Sequence, residues 1–457
     1  MRRDPLGRPN PIVFEEQRED PGGREMNSKS ERGRRVGRGL LVLAGAGAAA
    51  LAAGALILTR PFAEAPWEEA PPNPESIYED GGRGTGGTSA IPVVSPFHLD
   101  TDPMAGLLLA NFEGDPDRVY LGFEPQAFDD AVHGRGIIVL GWRVDGRVDV
   151  FHDPEVRLDP STYGIAGGGL HTMAERSFAE AVFELGSAGA QVDLGFEDLE
   201  GRAVRLVVRE SDTRPRRPFG FLAPMGSAAT DPPALPLVFV HDFYFVRKAG
   251  SEVRIEIDGR NHRSDPIPLL LDGTRVHFLR YSPDPFIATW NPNLEGRADV
   301  LGGGSDAGPA TSQSESRGVR YDLTANGDFR EIRRMSRREG EHEIVVEFSP
   351  AFPQLLALRD GVEVSGAFRI SAHPTVGTVT GRWRVVREGG EIHLEAIPEG
   401  GWTPGEAPWM ARLLFRAVSM FRTWPTTYLW SGTLELPPPG QAVEGSVPFQ
   451  SAWERIQ

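Results

Sequence analysis

Residues 361–396 read GVEVSGAFRISAHPTVGTVTGRWRVVREGGEIHLEA, and their chemistry alternates. Val362, Val364, Phe368 and Ile370, with Gly366 among them, fall on one side of an extended chain, while Glu363, Ser365, Arg369 and Ser371 fall on the other. Val379, Trp383 and Val385 oppose Thr378, Thr380, Arg382 and Arg384 in the same way, and Ile392, Leu394 and Ala396 oppose Glu391, His393 and Glu395. A period of two is the mark of a strand with one dry face and one wet face. Val253, Ile255 and Ile257 repeat it against Glu252, Arg254 and Glu256. Between such runs stand Asp145-Gly146, Asp258-Gly259, Asp272-Gly273, Asn326-Gly327, Asp360-Gly361 and Gly389-Gly390. These residues tolerate the positive φ that tight hairpins require. The expected fold is therefore mainly β, with antiparallel strands in a sandwich or lipocalin-like barrel rather than a doubly wound nucleotide-binding sheet. The lipocalin comparison is one of architecture, which carries no function by itself.

Upstream lies a stretch of different character, GLLVLAGAGAAALAAGALIL at residues 39–58, with no charged side chain. As a helix it spans roughly 30 Å, the thickness of a bilayer's hydrocarbon core. Arg32, Arg34, Arg35 and Arg38 precede it, and Glu64, Glu68 and Glu69 follow beyond Arg60. Positive flanks stay inside, so residues 1–38 are expected to be a disordered cytoplasmic tail and the bulk of the chain to lie across the plasma membrane. A cleaved signal competes with a retained anchor, since Ala63-Glu64-Ala65 and Ala53-Gly54-Ala55 have the small-x-small form. Pro66 follows the first directly, and the second would leave Leu56, Ile57 and Leu58 at the new start, so a retained anchor is preferred. A start at Met26 would give the anchor a short basic lead. Ala46, Ala50 and Gly54 form a small-residue stripe suited to pairing two anchors in a homodimer.

Residues 59–114 are Pro-rich and acidic, then Gly-rich, and read as a stalk. Two β domains are expected after it, 115–298 and 319–457, separated by a Gly/Ser-rich linker or loop at 299–318. The chain has no cysteine, so disulfides and thiolate metal sites are excluded and packing alone must hold the exported part. Only Lys29 and Lys248 are lysines, which suits a GC-rich bacterial genome. The formal net charge is −16. Such a surface opposes nucleic acid and anionic lipid headgroups as general partners, while local basic patches can still act.

One segment breaks the strand pattern. Residues 408–424, PWMARLLFRAVSMFRTW, begin with Pro408 and stop before Pro425, as a helix does. Arg412, Arg416, Ser419 and Thr423 make a narrow polar stripe on an otherwise apolar amphipathic helix. It either packs over a barrel or lies on a membrane. For the second role the contacts are Trp409, Arg412, Arg416, Phe421, Arg422 and Trp424.

No nucleophile elbow, Walker loop, dinucleotide fingerprint or HExxH helix occurs, and the ten histidines show no metal-ligating spacing. The sequence therefore names no catalytic residue, metal or cofactor. Its most informative polar pair is His241-Asp242, which interrupts the apolar run LPLVFVHDFYFV at 235–246. A strand apolar on both faces is expected to be central, so Asp242 is expected to be buried and paired with a neighbour such as an arginine; the alternative is a ligand site of His241, Asp242 and Tyr244 in which His241 meets a ligand's polar end. The loop in which Arg214, Arg216 and Arg217 precede Pro218-Phe219-Gly220-Phe221 is the second ligand candidate, and Trp290 the third. The function expected first is a membrane-anchored protein that binds or shelters an apolar, lipid-like ligand such as an isoprenoid in the cell envelope. A cell-surface interaction module is the alternative, and an enzyme acting on lipid or polysaccharide stands third.

Overall fold

A computed structural model describes Phe62, Trp67, residues 69–79 and residues 91–456 apart from 213, 226–231, 272, 302–310, 439–442 and 444. The tail 1–38 and the apolar stretch 39–58, with its small-residue stripe, lie outside the described residues. Among those described, no helix is long and apolar enough to cross a membrane.

The alternating runs form strands as expected, and the body of the protein is mainly β with curled antiparallel sheets. In one of the two eleven-stranded sheets, Glu363–Ser371, Thr378–Glu388 and Glu391–Thr403 are consecutive antiparallel neighbours. Their apolar faces, including Phe368, Ile370, Val379, Trp383, Ile392 and Leu394, are all buried. Asp258 and Gly259 both take positive φ, 52° and 78°, in the hairpin joining Ser251–Ile257 to Arg260–His262. Within this antiparallel scheme Val148–His152 and Leu170–Glu175 pair in parallel, because the chain between them crosses over through the short helical turn Pro160–Ile165.

Three stretches, 99–111, 235–247 and 274–290, organise the molecule. Strand Leu235–Arg247 runs in one register from Leu235 opposite Trp290 to Phe245 opposite Arg280. Residues 99–111 run along the other side of 274–290, from Leu99 opposite Trp290 to Ala110 opposite Leu279. Each stretch crosses from one core to another. Leu99, Leu237, Phe239, Phe286 and Trp290 belong to the second eleven-stranded sheet and are packed in a first core together with residues of the other one, such as Phe368 and Trp383. Leu108, Ala110, Tyr244, Val246, Leu279 and Tyr281 belong to a second core, shared with the sheet that contains Gly189–Glu197, Ala203–Glu210 and Ser251–Ile257. The two cores are thus joined by continuous strands.

The crossing requires a bend, and Asp242 supplies it with a φ of +42°. Side-chain alternation along 235–246 is reset at that residue, so Asp242 points to solvent and is exposed. This corrects the expectation of a buried, paired Asp242: the chain places the charge where its backbone turns, and no buried partner is needed. Ser282 secures the bend from the neighbouring strand, its Oγ donating to the His241 carbonyl at 2.5 Å and accepting from the Asp284 N–H at 3.1 Å.

Other boundaries also differ from the sequence reading. The stretch 59–114, read as a stalk, contains the strands Val93–Ser95, Leu99–Pro103 and Gly106–Asn111. It also contains Tyr78, whose hydroxyl donates to buried Glu331 at 2.5 Å, with Asn73 donating to the same carboxylate at 3.1 Å. Its proline content tells that it builds no sheet of its own, not that it stays free of one. Within 299–318, Leu294–Leu301 pairs with the C-terminal strand Ser446–Arg455, and Thr311–Ser316 pairs with Val319–Asn326. The helix read over 408–424 is two helices, α1 (Trp409–Ala417) and α2 (Ser419–Thr423), separated by extended Val418.

Candidate functional site

The bend in the shared strands gathers residues that are far apart in sequence. His241 sits on its inner side, 6% exposed, with Asp284 opposite it in the register. His342, from strand His342–Phe352, lays its ring on His241 with centroids 4.4 Å apart and planes 20° off parallel. His373 meets His241 edge-on at 5.5 Å. Asp284 and His342 form an ion pair at 2.7 Å between Oδ1 and Nε2. Burial, with His342 as a lesser cause, pushes His241 down to about 4, so this imidazole is neutral at pH 7. The hydrogen bond that His342 donates to Asp284 raises His342, and the same bond holds Asp284 below the usual carboxylate range. A neutral ring is therefore stacked on one that favours its charged form. The Nε2 of His241 is buried without a hydrogen-bond partner.

Beside this cluster an aromatic group ties the bend to the helices. Phe219 and Phe221 pack on Phe243 at 5.3 and 4.6 Å, and on Phe415 of α1 at 6.0 and 6.2 Å. Phe421 of α2 adds contacts to Phe221 at 5.9 Å and Phe415 at 5.1 Å. Gly220 is required between the two phenylalanines, since a Cβ there would lie 2.7 Å from Val376 Cγ1 and 2.9 Å from the Thr375 carbonyl. The loop after His373 thus closes on the strand Phe219–Ala223.

The ligand candidates divide. His241 lies at the centre of this junction. Tyr244 faces the second core instead, stacked on Tyr281 at 5.4 Å, with burial raising its hydroxyl. Arg214 is engaged by Asp212 (2.9 Å), and Arg216 is buried in an ion pair with Glu210 (2.8 Å) and donates to Tyr281 Oη (3.0 Å). Arg217 is exposed. The three arginines therefore do not form a common anion site, because their side chains go to different places. Trp290 is fully buried against Phe368 at 4.7 Å and Phe97 at 6.1 Å, as part of the packing.

The membrane candidates divide too. Trp409 is 55% exposed and Arg422 is exposed. Arg416 lies over the ring of Phe62 at 4.1 Å, and Arg412 donates to the Ala407 carbonyl at 2.8 Å. Phe421 is half-buried in the aromatic group. Trp424 is 3% exposed and packs edge-on against Tyr428, which removes it from the membrane set. The break at Val418 is the physical reason: it turns the chain inward before Trp424.

The sequence does not single out His342, His373 or Asp284. Each comes from a different hairpin, and no spacing announces their meeting. Among the described residues no group of three or more His, Asp or Glu side chains is arranged to hold a metal ion. Elsewhere, buried carboxylates are matched internally: Asp149 accepts from Tyr120 (3.0 Å) and Arg143 (2.8 Å) and pairs with His171 (2.6 Å). Comparison with protein-family models, curated proteins and solved structures finds no match for this chain.

Proposed function

We propose that this is a single-pass envelope protein, anchored through residues 39–58 with its N-terminus in the cytoplasm, whose β body acts outside the membrane as a non-enzymatic binding scaffold. The observation that carries the reading is the packing of the first core, which draws on both eleven-stranded sheets. Phe97 stands within 4.7 to 6.1 Å of Phe352, Phe348, Trp430 and Trp290. Trp290, Phe368, Trp383 and Trp430 are each at most 1% exposed. Rings with so little accessible surface border no void as wide as a water molecule, so at these positions the interior is filled by the chain's own aromatics. Partners then meet the outside of the scaffold. A photo-crosslinking residue placed at exposed Arg217 or His373 in the full chain, in its native membrane, is expected to capture the same protein from both positions. Replacing Lys248, which is also exposed, serves as the comparison. Capture of nothing, or of the same species from all three positions, contradicts a defined scaffold surface at the junction.

A second reading keeps the apolar ligand but moves it to the bend. It is favoured by the unpartnered Nε2 of His241, a buried polar atom next to the phenylalanine group, where a lipid-like molecule's polar end would find a hydrogen bond. Lipid extracted with wild-type protein and lost from His241→Phe would support it. Equal lipid content in the two would remove it.

A further inference from the structure

We infer that α1 and α2 rest on the surface of the bilayer, with Trp409 and Met420 entering the headgroup boundary of a membrane containing anionic phospholipid. The inference rests on residues 39–58 being the anchor, and it names the partner of the helical surface. Chain length is the first ground. The apolar stretch ends at Leu58, and Phe62 is held against α1 by Arg416, whose guanidinium carbon lies 4.1 Å from the ring centre. Four residue steps at roughly 3.3–3.6 Å each reach at most about 14 Å. Wherever the anchor leaves the membrane, Phe62 is kept within that distance of it, and α1 lies further on by the reach of the stacked Phe62 and Arg416 side chains.

The second ground is the face that α1 and α2 present. Met410, Ala411 and Phe415 are buried beneath α1, while Trp409 and Met420 remain 55% and 45% exposed. An indole at this position has the amphipathic form that suits the headgroup region. Charge is the third ground. No acidic residue occurs between Glu406 and Glu435, whereas Arg412, Arg416 and Arg422 do, in a chain of net charge −16. This acid-free segment contrasts with the acidic balance of the whole chain, and its exposed Arg422 complements phosphate and phosphatidylglycerol-type headgroups.

The test uses the full chain reconstituted in vesicles of phosphatidylcholine and phosphatidylglycerol, with and without bromine atoms near the headgroup end of the acyl chains. Bromolipid is expected to quench part of the tryptophan fluorescence, and Trp409→Phe is expected to abolish at least about half of that quenching, as an interfacial indole would. Because Trp409 is largely exposed, this substitution leaves the core intact. If the variant is quenched as strongly as the wild type, the inference is overturned. If Trp409 is instead reached by aqueous iodide, the helices stand in solvent; if neither quencher reaches it, a protein covers it; either result also overturns the inference. Flotation of the same sample separates the two readings. Protein that floats without Trp409-dependent quenching is anchored but does not lie on its helices, and protein that fails to float overturns both.

Discussion

Protonation of His241 works against the folded state. Its ring is buried, lacks a partner at Nε2, and is stacked on an imidazole that Asp284 holds toward its charged form, so the folded protein resists a proton that the unfolded chain accepts. A histidine with a folded pKa near 4, against 6.5 unfolded, contributes stability that is complete above 6.5 and declines as pH falls toward 4. His342 has the opposite sign, because its raised pKa adds stability below 6.5 that is lost as pH rises through its folded value. Asp284 adds stability that is lost only as pH falls through its depressed folded pKa. His241→Phe keeps a flat ring at the bend and removes the first of these contributions. Thermal midpoints measured from pH 7 to 4.5 are expected to fall less steeply in the variant, the remaining slope including His98 and His277, which burial also lowers. Parallel profiles for the two proteins would show that His241 is not held neutral by the fold.

At the scale of elements, the break in the helix is explained by what it buries. Six positions apart on a straight helix, Phe415 and Phe421 would point about 120° away from each other. With Val418 extended, both reach one aromatic group with Phe221 and Trp402. Phe415 is 2% exposed, and Phe415→Ala is expected to cost roughly 3–5 kcal/mol in urea unfolding. The same variant should speed hydrogen exchange in Phe219–Ala223, the strand whose rings lose their support. Exchange unchanged there would mean that Phe219 and Phe221 are held without α1. Pro408 and Pro425 make the outer limits of this helical region legible, but the division at Val418 is not. It depends on partners some two hundred residues upstream. The hairpins are legible for the converse reason, since alternation and turn chemistry are local. The site is half legible: His241 stands out in an apolar run, whereas His342, His373 and Asp284 join it through tertiary pairing alone.

For the whole molecule, the consequence of the shared strands is mechanical coupling. Residues 99–111, 235–247 and 274–290 belong to both cores, so neither core opens without disturbing strands of the other. Calorimetry of the full chain in detergent is expected to give one transition for the β body, and Val208→Ala, in the second core, should shift that whole transition downward by about 1–3 °C. Two separable transitions, only one of them moved, would contradict the coupling. The expected division at 299–318 rests on composition, which reports a lack of apolar residues but not that strands elsewhere bridge the same gap. What the scaffold reading requires beyond coupling is that nothing is stored inside. Native mass spectrometry of the full chain, released from its own membranes under gentle activation, addresses this directly. The account predicts the mass of the polypeptide, alone or in small multiples, after the detergent and loosely held lipid are shed. One reproducible small-molecule adduct per chain, retained by the wild type and lost from His241→Phe, would contradict it and identify a ligand-binding protein.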